Sequence, residues 1–388
     1  MSGRHVLVAR LDNVGDVLLA GPVVRAVAAG GHRVTFLAGP SGRAAAERLP
    51  GVEQVVEWEA PWVPLVASPL RPGQAEGLVA TLAGLALDEA LVLTSFHQSP
   101  LPLALLLRMA GVGRIAATSV DHAGGLVDER LPYVEGWHEV EQGLAVAAAL
   151  GHRLPPGDDA RLAVVEAAGA APPPPHPYVV VHPTASVPAR AIPQALAAGV
   201  LDALTAAGRP VVLTGSAADR AVTGPLAAGR PGVTDRAGTT DLDGLAALLR
   251  AADAVVVGNT GPAHLAAAVG TPVASIFAPV VDPRRWAPWG VPHRLLGQLD
   301  IACAGCRARV CPFDGQPCLN PATPAAVLAA VEELSPASAG APFPGGASPS
   351  PTAPAPGARS RASGGTNVRL LREGPVRGVG HVAQGTAP

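Results

Sequence analysis

No lysine occurs in the 388 residues, so all 28 basic side chains are arginine. Glycine (45) and proline (42) are abundant alongside alanine, a mark of genomic base-composition bias, so the arginine count by itself carries no functional information. A basic excess is also missing. With a net charge of -2 and a pI near 6.6, the chain lacks the positive field that a dedicated nucleic-acid binder needs to neutralise phosphates. Long apolar runs are absent too: the start "MSGRHVLVARLDNVGDV" enters a strand pattern without the apolar core of a secretory leader. The helix-like "LPLALLLRMAGV" (101–112) is interrupted by an arginine and is too short to span a bilayer. The expectation is a cytoplasmic protein, with association at the inner face of the cell membrane as the one membrane role left open. Finally, no G-x-G-x-x-G stands at the first strand-to-helix turn, which argues against a dinucleotide oxidoreductase.

What is present is alternation. Apolar strands at 5–11, 33–39, "QVVEW" and "EALVLTS" alternate with helical patterns at 16–30, 42–51 and 74–86. This is the βαβ rhythm of a parallel sheet covered by helices. Four consecutive prolines in "EAAGAAPPPPHP" (166–177) can form neither helix nor central strand and mark an interdomain linker. The alternation then restarts with "YVVVHPT", "PVVLTGS", "AVVVGNT" and "PVASIFA" as strands, and helices near 193–207, 217–228, 241–252 and 262–269. The expected organisation is an N-terminal Rossmann-like domain (1–165), the linker (166–177), a second Rossmann-like domain (178–334), and a Pro/Ser/Ala/Gly tail (335–388) too poor in apolar residues to bury a core. Ligands of such sheets bind at the carboxyl ends of the strands.

Two strand-to-helix turns carry the chemistry. In "VVVGNTGPAHLAAAVGT" (255–271), Asn259, Thr260 and Gly261 open a helix with Pro262 in its first turn. The unpaired N–H groups and positive dipole end there suit a phosphate or pyrophosphate. The plainer reading makes Asn259 or Thr260 a helix cap and His264 a packing residue. In "ARLDNVGDVLLAGPVV", Gly15 and Asp16 open another helix. Asp16 is either a carboxylate favoured by the dipole, which would hold it ionised at neutral pH, or a general base. "DLD" (241–243) precedes a helix and reads as a cap rather than a metal site. Cys303, Cys306, Cys311 and Cys318 follow C-x2-C-x4-C-x6-C; four thiolates satisfy a structural zinc or iron-sulfur centre, but the intervals are not those of common zinc ribbons, and free thiols in a loop are the expected state.

Taken in order, "RLDNVGDVLLAGPVVRAV", "VHPTASVPARAIP", "LTGSAADR", "GNTGPAHLAAAVGTPVASIFAP" and "RWAPWG" resemble glycosyltransferase family 9, the ADP-heptose:lipopolysaccharide heptosyltransferase group, over most of residues 4–334. The resemblance implies a GT-B fold, two doubly wound domains facing a cleft, and inverting, metal-independent transfer of heptose or a related sugar. No cofactor is implied. The partners would be a nucleotide-sugar donor, with an ADP-sugar favoured, and a glycan or lipid-linked acceptor. Asp16 would be the catalytic base. Thr184, Arg190, Gly215, Asp219, Asn259, Thr260, Gly261 and His264 would bind the donor. The chain carries Asn259 where the family often has aspartate, and Arg190 where lysine is common. Acceptor contacts would fall in 94–114 and 119–142, although the apolar run at 101–112 reads better as a buried helix. The alternatives are a sugar-nucleotide epimerase or hydrolase on the same scaffold, and a non-catalytic nucleotide-binding module with a metal held by the cysteines.

Overall fold

The computed structural model describes residues 3–63, 69–166, 174 and 177–335. Most of the expected linker and all but the first residue of the expected tail lie outside the described residues. Among the described residues, twelve parallel strands form two six-stranded sheets. The first contains β1 (His5–Arg10), β2 (Arg33–Ala38), β3 (Gln54–Glu57), β4 (Glu89–Val92), β5 (Arg114–Thr118) and β6 (Glu129–Leu131), in the order β3-β2-β1-β4-β5-β6. The second contains β7 (Val179–His182), β8 (Val211–Leu213), β9 (Val233–Asp235), β10 (Ala254–Gly258), β11 (Val273–Ile276) and β12 (His293–Leu296), in the order β12-β11-β10-β7-β8-β9.

Both sheets therefore repeat one winding, in which the strand order reverses between the first strand and the fourth. The reversal opens a crevice at β1/β4 in one sheet and at β7/β10 in the other. The all-apolar central strands suit this placement: β1 and β10 are buried along their whole length, as strands covered by helices on both faces must be.

The chain from 14 to 28 departs from the single helix expected over 16–30. It forms the helices Val14–Leu19 and Gly21–Ala28, joined at Ala20. Pro22 has no N–H to donate and its ring crowds the preceding turn, so the ladder breaks there. Arg43–Ala46 is likewise a short helix where 42–51 was expected. The edge strands β6, β9 and β12 have no clear sequence signal because they are short, partly exposed and carry charged residues.

Each sheet has an apolar cluster of its own on one face, one around Leu7, Leu37, Leu91's neighbour Ala90, and Ile115, the other around Val179, Val256 and Val327. The opposite faces share a single core that runs from Val6, Val17 and Phe36 to Tyr178, Val257 and Leu265. The two halves thus meet over continuous apolar packing. Polar ties reinforce it: Arg48 grips Asp243 through two bonds of 2.6 Å, and Trp289 donates its indole N–H to the Ala160 carbonyl at 2.9 Å while stacking on His138.

Candidate active site

The site forms where the helix after β1 meets the helix after β10. A Cβ on Gly15 would lie 2.9 Å from His264 Cδ2 and 3.1 Å from Gly261 Cα, so glycine at 15 lets the two helix starts touch. Thr260 stands at the N-cap of the Gly261–Ala268 helix but makes no side-chain capping bond. His264, one turn in, is 6% exposed, and its Nδ1 has no hydrogen-bond partner. Burial pushes its pKa down to about 3, so the ring is neutral.

Asn259 is positioned differently from the other residues of this turn. Its amide donates to the Ala278 carbonyl at 3.1 Å and accepts from the Ala278 N–H at 3.2 Å, tying the ends of β10 and β11 together. An aspartate cannot donate, which gives a physical reason for asparagine in this chain. Asn259→Asp is expected to lose roughly 1–3 kcal/mol of stability, read from urea unfolding, because a carboxylate oxygen would face a carbonyl oxygen in a buried position.

Arg190 ends the 3-10 turn Pro188–Arg190, packed over the end of β10. The bare Cα of Gly258 leaves room for the Arg190 carbonyl, whose oxygen a Cβ would strike. Arg190 Nε is buried without a hydrogen-bond partner. Burial lowers the pKa of its guanidinium, while the charge of Asp16 pulls it back up.

Asp16 is held by Arg10 at the end of β1, whose NH2 lies 3.1 Å from Asp16 Oδ1. The same guanidinium reaches across the β1/β4 crevice to Ser95 Oγ at 2.8 Å, and pairs with Asp12 at 2.8 Å and Glu139 at 3.3 Å. Burial raises the pKa of Asp16, Arg10 pulls it down, and Asp12 and Glu139 raise it again, leaving it at about 6. The helix dipole is expected to hold this carboxylate ionised at neutral pH; a pKa of about 6 leaves it so, with a proton affinity that burial raises above the ordinary value. At neutral pH the group is largely ionised yet able to hold a proton.

Thr184, Gly215 and Asp219 gather separately, at the ends of β7 and β8. Asp219 accepts the N–H and hydroxyl of Ser216, both at 2.7 Å, and a hydrogen bond from Thr184. Burial opposes its charge, but these bonds hold its carboxyl below the usual range. A Cβ on Gly215 would lie 2.9 Å from Asp219 Cβ, so glycine is needed for this tight turn. Asp241 accepts from Gly244 N–H at 2.9 Å as a helix N-cap, as the plainer reading of "DLD" holds.

The cysteines are free thiols, and Cys318 is buried beneath the loop. Among the described residues no group of three or more His, Cys, Asp or Glu side chains is placed to hold a metal ion. The loop instead braces the Arg190 turn: Ala189 N–H donates to the Arg309 carbonyl at 2.8 Å, and the Gln316 side chain donates to the Ala189 carbonyl at 2.6 Å. Arg307, in the left-handed region at φ 56°, reaches over the Phe96 ring of the first half at 4.2 Å. In the stretch proposed for the acceptor, the helix Leu101–Met109 buries Leu103, Ala104, Leu106 and Leu107, and Arg108 is committed to the Leu126 carbonyl and Asp128. Among the described residues, no helix is long and apolar enough to cross a membrane.

Sequence reasoning missed Arg10, Asp12, Glu139 and Arg285. Arg10 and Asp12 carry a local signal, charged residues at the end of a wholly apolar strand. Glu139 carries none, being 129 residues from the arginine it pairs with.

Two doubly wound halves that share a core and face their crevices toward one junction define a GT-B architecture. The chain belongs to glycosyltransferase family 9 (heptosyltransferase), whose model matches residues 82–316. It is 39% identical over 116 residues to lipopolysaccharide heptosyltransferase 3 of Escherichia coli, a stretch that is 29% of this chain and 34% of that protein. The match therefore spans about a third of the curated relatives' length. Among solved structures, the glycosyltransferase family 9 protein of Veillonella parvula aligns with TM-score 0.69 at 16% identity, covering 86% of this chain and 98% of that one. The E. coli heptosyltransferase WaaC with ADP aligns with TM-score 0.64 at 19% identity, covering 85% and 100%.

Proposed function

We propose that this chain is an inverting glycosyltransferase that moves heptose or a related sugar from an ADP-sugar to a glycan or lipid-linked acceptor at the inner face of the membrane. The observation that carries this reading is Asp16: a carboxylate held by Arg10 where two helix starts touch through Gly15 and Gly261, with the unsatisfied guanidinium edge of Arg190 close enough to act on its charge. Family membership and the ADP bound by the WaaC relative support the donor.

The steps follow from charge. As the bond from the anomeric carbon to the diphosphate oxygen breaks, its electron pair leaves with the nucleotide. The helix start at Gly261 and the guanidinium of Arg190 stabilise that growing negative charge, fixed in place and without reorganisation. The acceptor oxygen attacks from the opposite face and gives its proton to Asp16. Attack opposite the leaving group inverts the anomeric centre. The chain's own cations supply the neutralisation that a metal provides elsewhere, so transfer is expected to persist in the presence of a chelator. Thr184, just past β7, and Asp219, at the N-cap of the helix after β8, are assigned to the nucleoside side of the donor. Asn259 is assigned to holding the turn on which the phosphate site is built.

Arg190→Ala is expected to weaken ADP binding by about 1.5–3 kcal/mol, the contribution of a charge-assisted hydrogen bond, measured by calorimetric titration. The reading as a whole is tested by incubating the full chain with a panel of nucleotide sugars and following nucleoside diphosphate release with and without a glycan acceptor. Acceptor-dependent release supports it. Conversion of the sugar with the diphosphate bond intact would make the chain an epimerase, and release that ignores acceptor would make it a hydrolase.

A further inference from the structure

Glu139 opens the helix Glu139–Ala149, and its side chain is 3% exposed. Oε2 lies 3.3 Å from Arg10 NH1, whereas Oε1 is buried and, among the described residues, has no hydrogen-bond partner, with Arg285 NH1 at 3.6 Å. A purely structural ion pair would satisfy that oxygen, since leaving a buried acceptor unpaired is costly. Glu139 and Asp16 also line one small cavity of about 10 Å³, together with Arg10, Thr94, Gln142 and apolar side chains such as Leu93. Two carboxylates therefore meet a single buried guanidinium beside one small void.

We propose that Glu139 is a positioning residue of this site: it shares Arg10 with Asp16 and so sets how firmly Asp16 holds a proton. The charges facing Asp16 come from every element around it. Asp12 in the preceding loop and Glu139 are negative, while Arg10 on β1 and Arg190 across the junction are positive. His264, on the opposing helix, is neutral, and Arg285 acts through Glu139. Arg10 is buried with side-chain exposure of 5% and meets three carboxylates, so each weakens its hold on the others. Burial pushes the Glu139 carboxyl up as well, against the opposing pull of Arg10 and Arg285. A carboxylate that has just taken a proton from an acceptor must keep it until the product departs and then release it, and a neighbouring anion in low dielectric provides that affinity.

The inference rests on the glycosyl-transfer reading for the source of the proton, but its test does not. The carboxyl carbon of Asp16 is titrated by 13C NMR in the full chain, assigned by its loss in Asp16→Asn, and compared with Glu139→Gln. Glutamine keeps the acceptor for Arg10 and removes the charge. The Asp16 midpoint is expected to fall by about one unit or more, with the acid limb of nucleoside diphosphate release moving equally. An unmoved midpoint overturns the proposal, even if activity drops. If Glu139→Gln does not fold, Arg285→Gln tests it with the opposite sign, since Glu139 then draws harder on Arg10 and the Asp16 midpoint must rise. No rise overturns it. A chain that releases no diphosphate from any donor defeats the proposed function and leaves the titration to decide this inference by itself.

Discussion

Asp16→Asn is expected to lower turnover by roughly 10²–10⁴, the usual contribution of general base catalysis, while ADP binding stays near wild type. Asparagine preserves the shape, and its carbonyl still accepts from Arg10, but it cannot take up a proton. Stability moves in the opposite direction from activity, with a sign that follows from protonation. The folded carboxyl has a pKa of about 6, above the ordinary 3.8, so the folded chain binds the proton more tightly than the unfolded chain. Below pH 4 both forms are protonated, and the substitution changes little. As the pH rises through about 6, the wild type must carry a charge on a partly exposed but largely desolvated group, and the variant is expected to become the more stable by roughly 1–3 kcal/mol. Thermal or urea unfolding at pH 4 and pH 7.5 measures this. Normal transfer by Asp16→Asn, or loss of activity through unfolding, would make Asp16 a helix-start residue and nothing more.

Gly258→Ala is expected to cost both stability and donor affinity. Its new Cβ would strike the Arg190 carbonyl oxygen. The strand cannot yield, because Gly258 pairs in register with Ile276 on β11 and the three valines before it are fully buried. The 3-10 turn must move instead, and it is braced from behind by the Arg309 carbonyl and Gln316. Overpacking of this kind costs roughly 1–3 kcal/mol. Displacing the guanidinium should weaken ADP binding about tenfold or more, as a charge-assisted bond loses its geometry. Urea unfolding and calorimetric titration read the two effects. An alanine variant with unchanged ADP affinity would show that Arg190 is not a donor ligand.

The local turns were legible because their chemistry is local. Gly-Asn-Thr-Gly-Pro after a run of valines and Gly-Asp after an apolar strand each announce a strand end and a helix start, whatever the rest of the chain does. Asp241 as a cap follows from the same reasoning. The role of Asn259 was less legible. Its amide ties to Ala278, 19 residues away, a contact that sequence proximity to Thr260 does not announce. The cysteines read as free thiols in a loop, and the loop's visible work is done by Arg309, Gln316 and Arg307, residues with no motif of their own.

By itself the sequence determined the two alternating halves, their buried central strands, the glycine-opened helix starts and the family, since these depend on periodicity and on backbone conformations that few residues allow. Only the tertiary structure decided that the two helix starts touch, that burial raises the proton affinity of Asp16, and that Glu139 shares Arg10 with it. The physical reason is that a carboxylate's proton affinity depends on burial and on charges within a few ångströms. Those charges come from β1, a helix 129 residues further on, and a turn in the other half, which only the packing of the halves brings together.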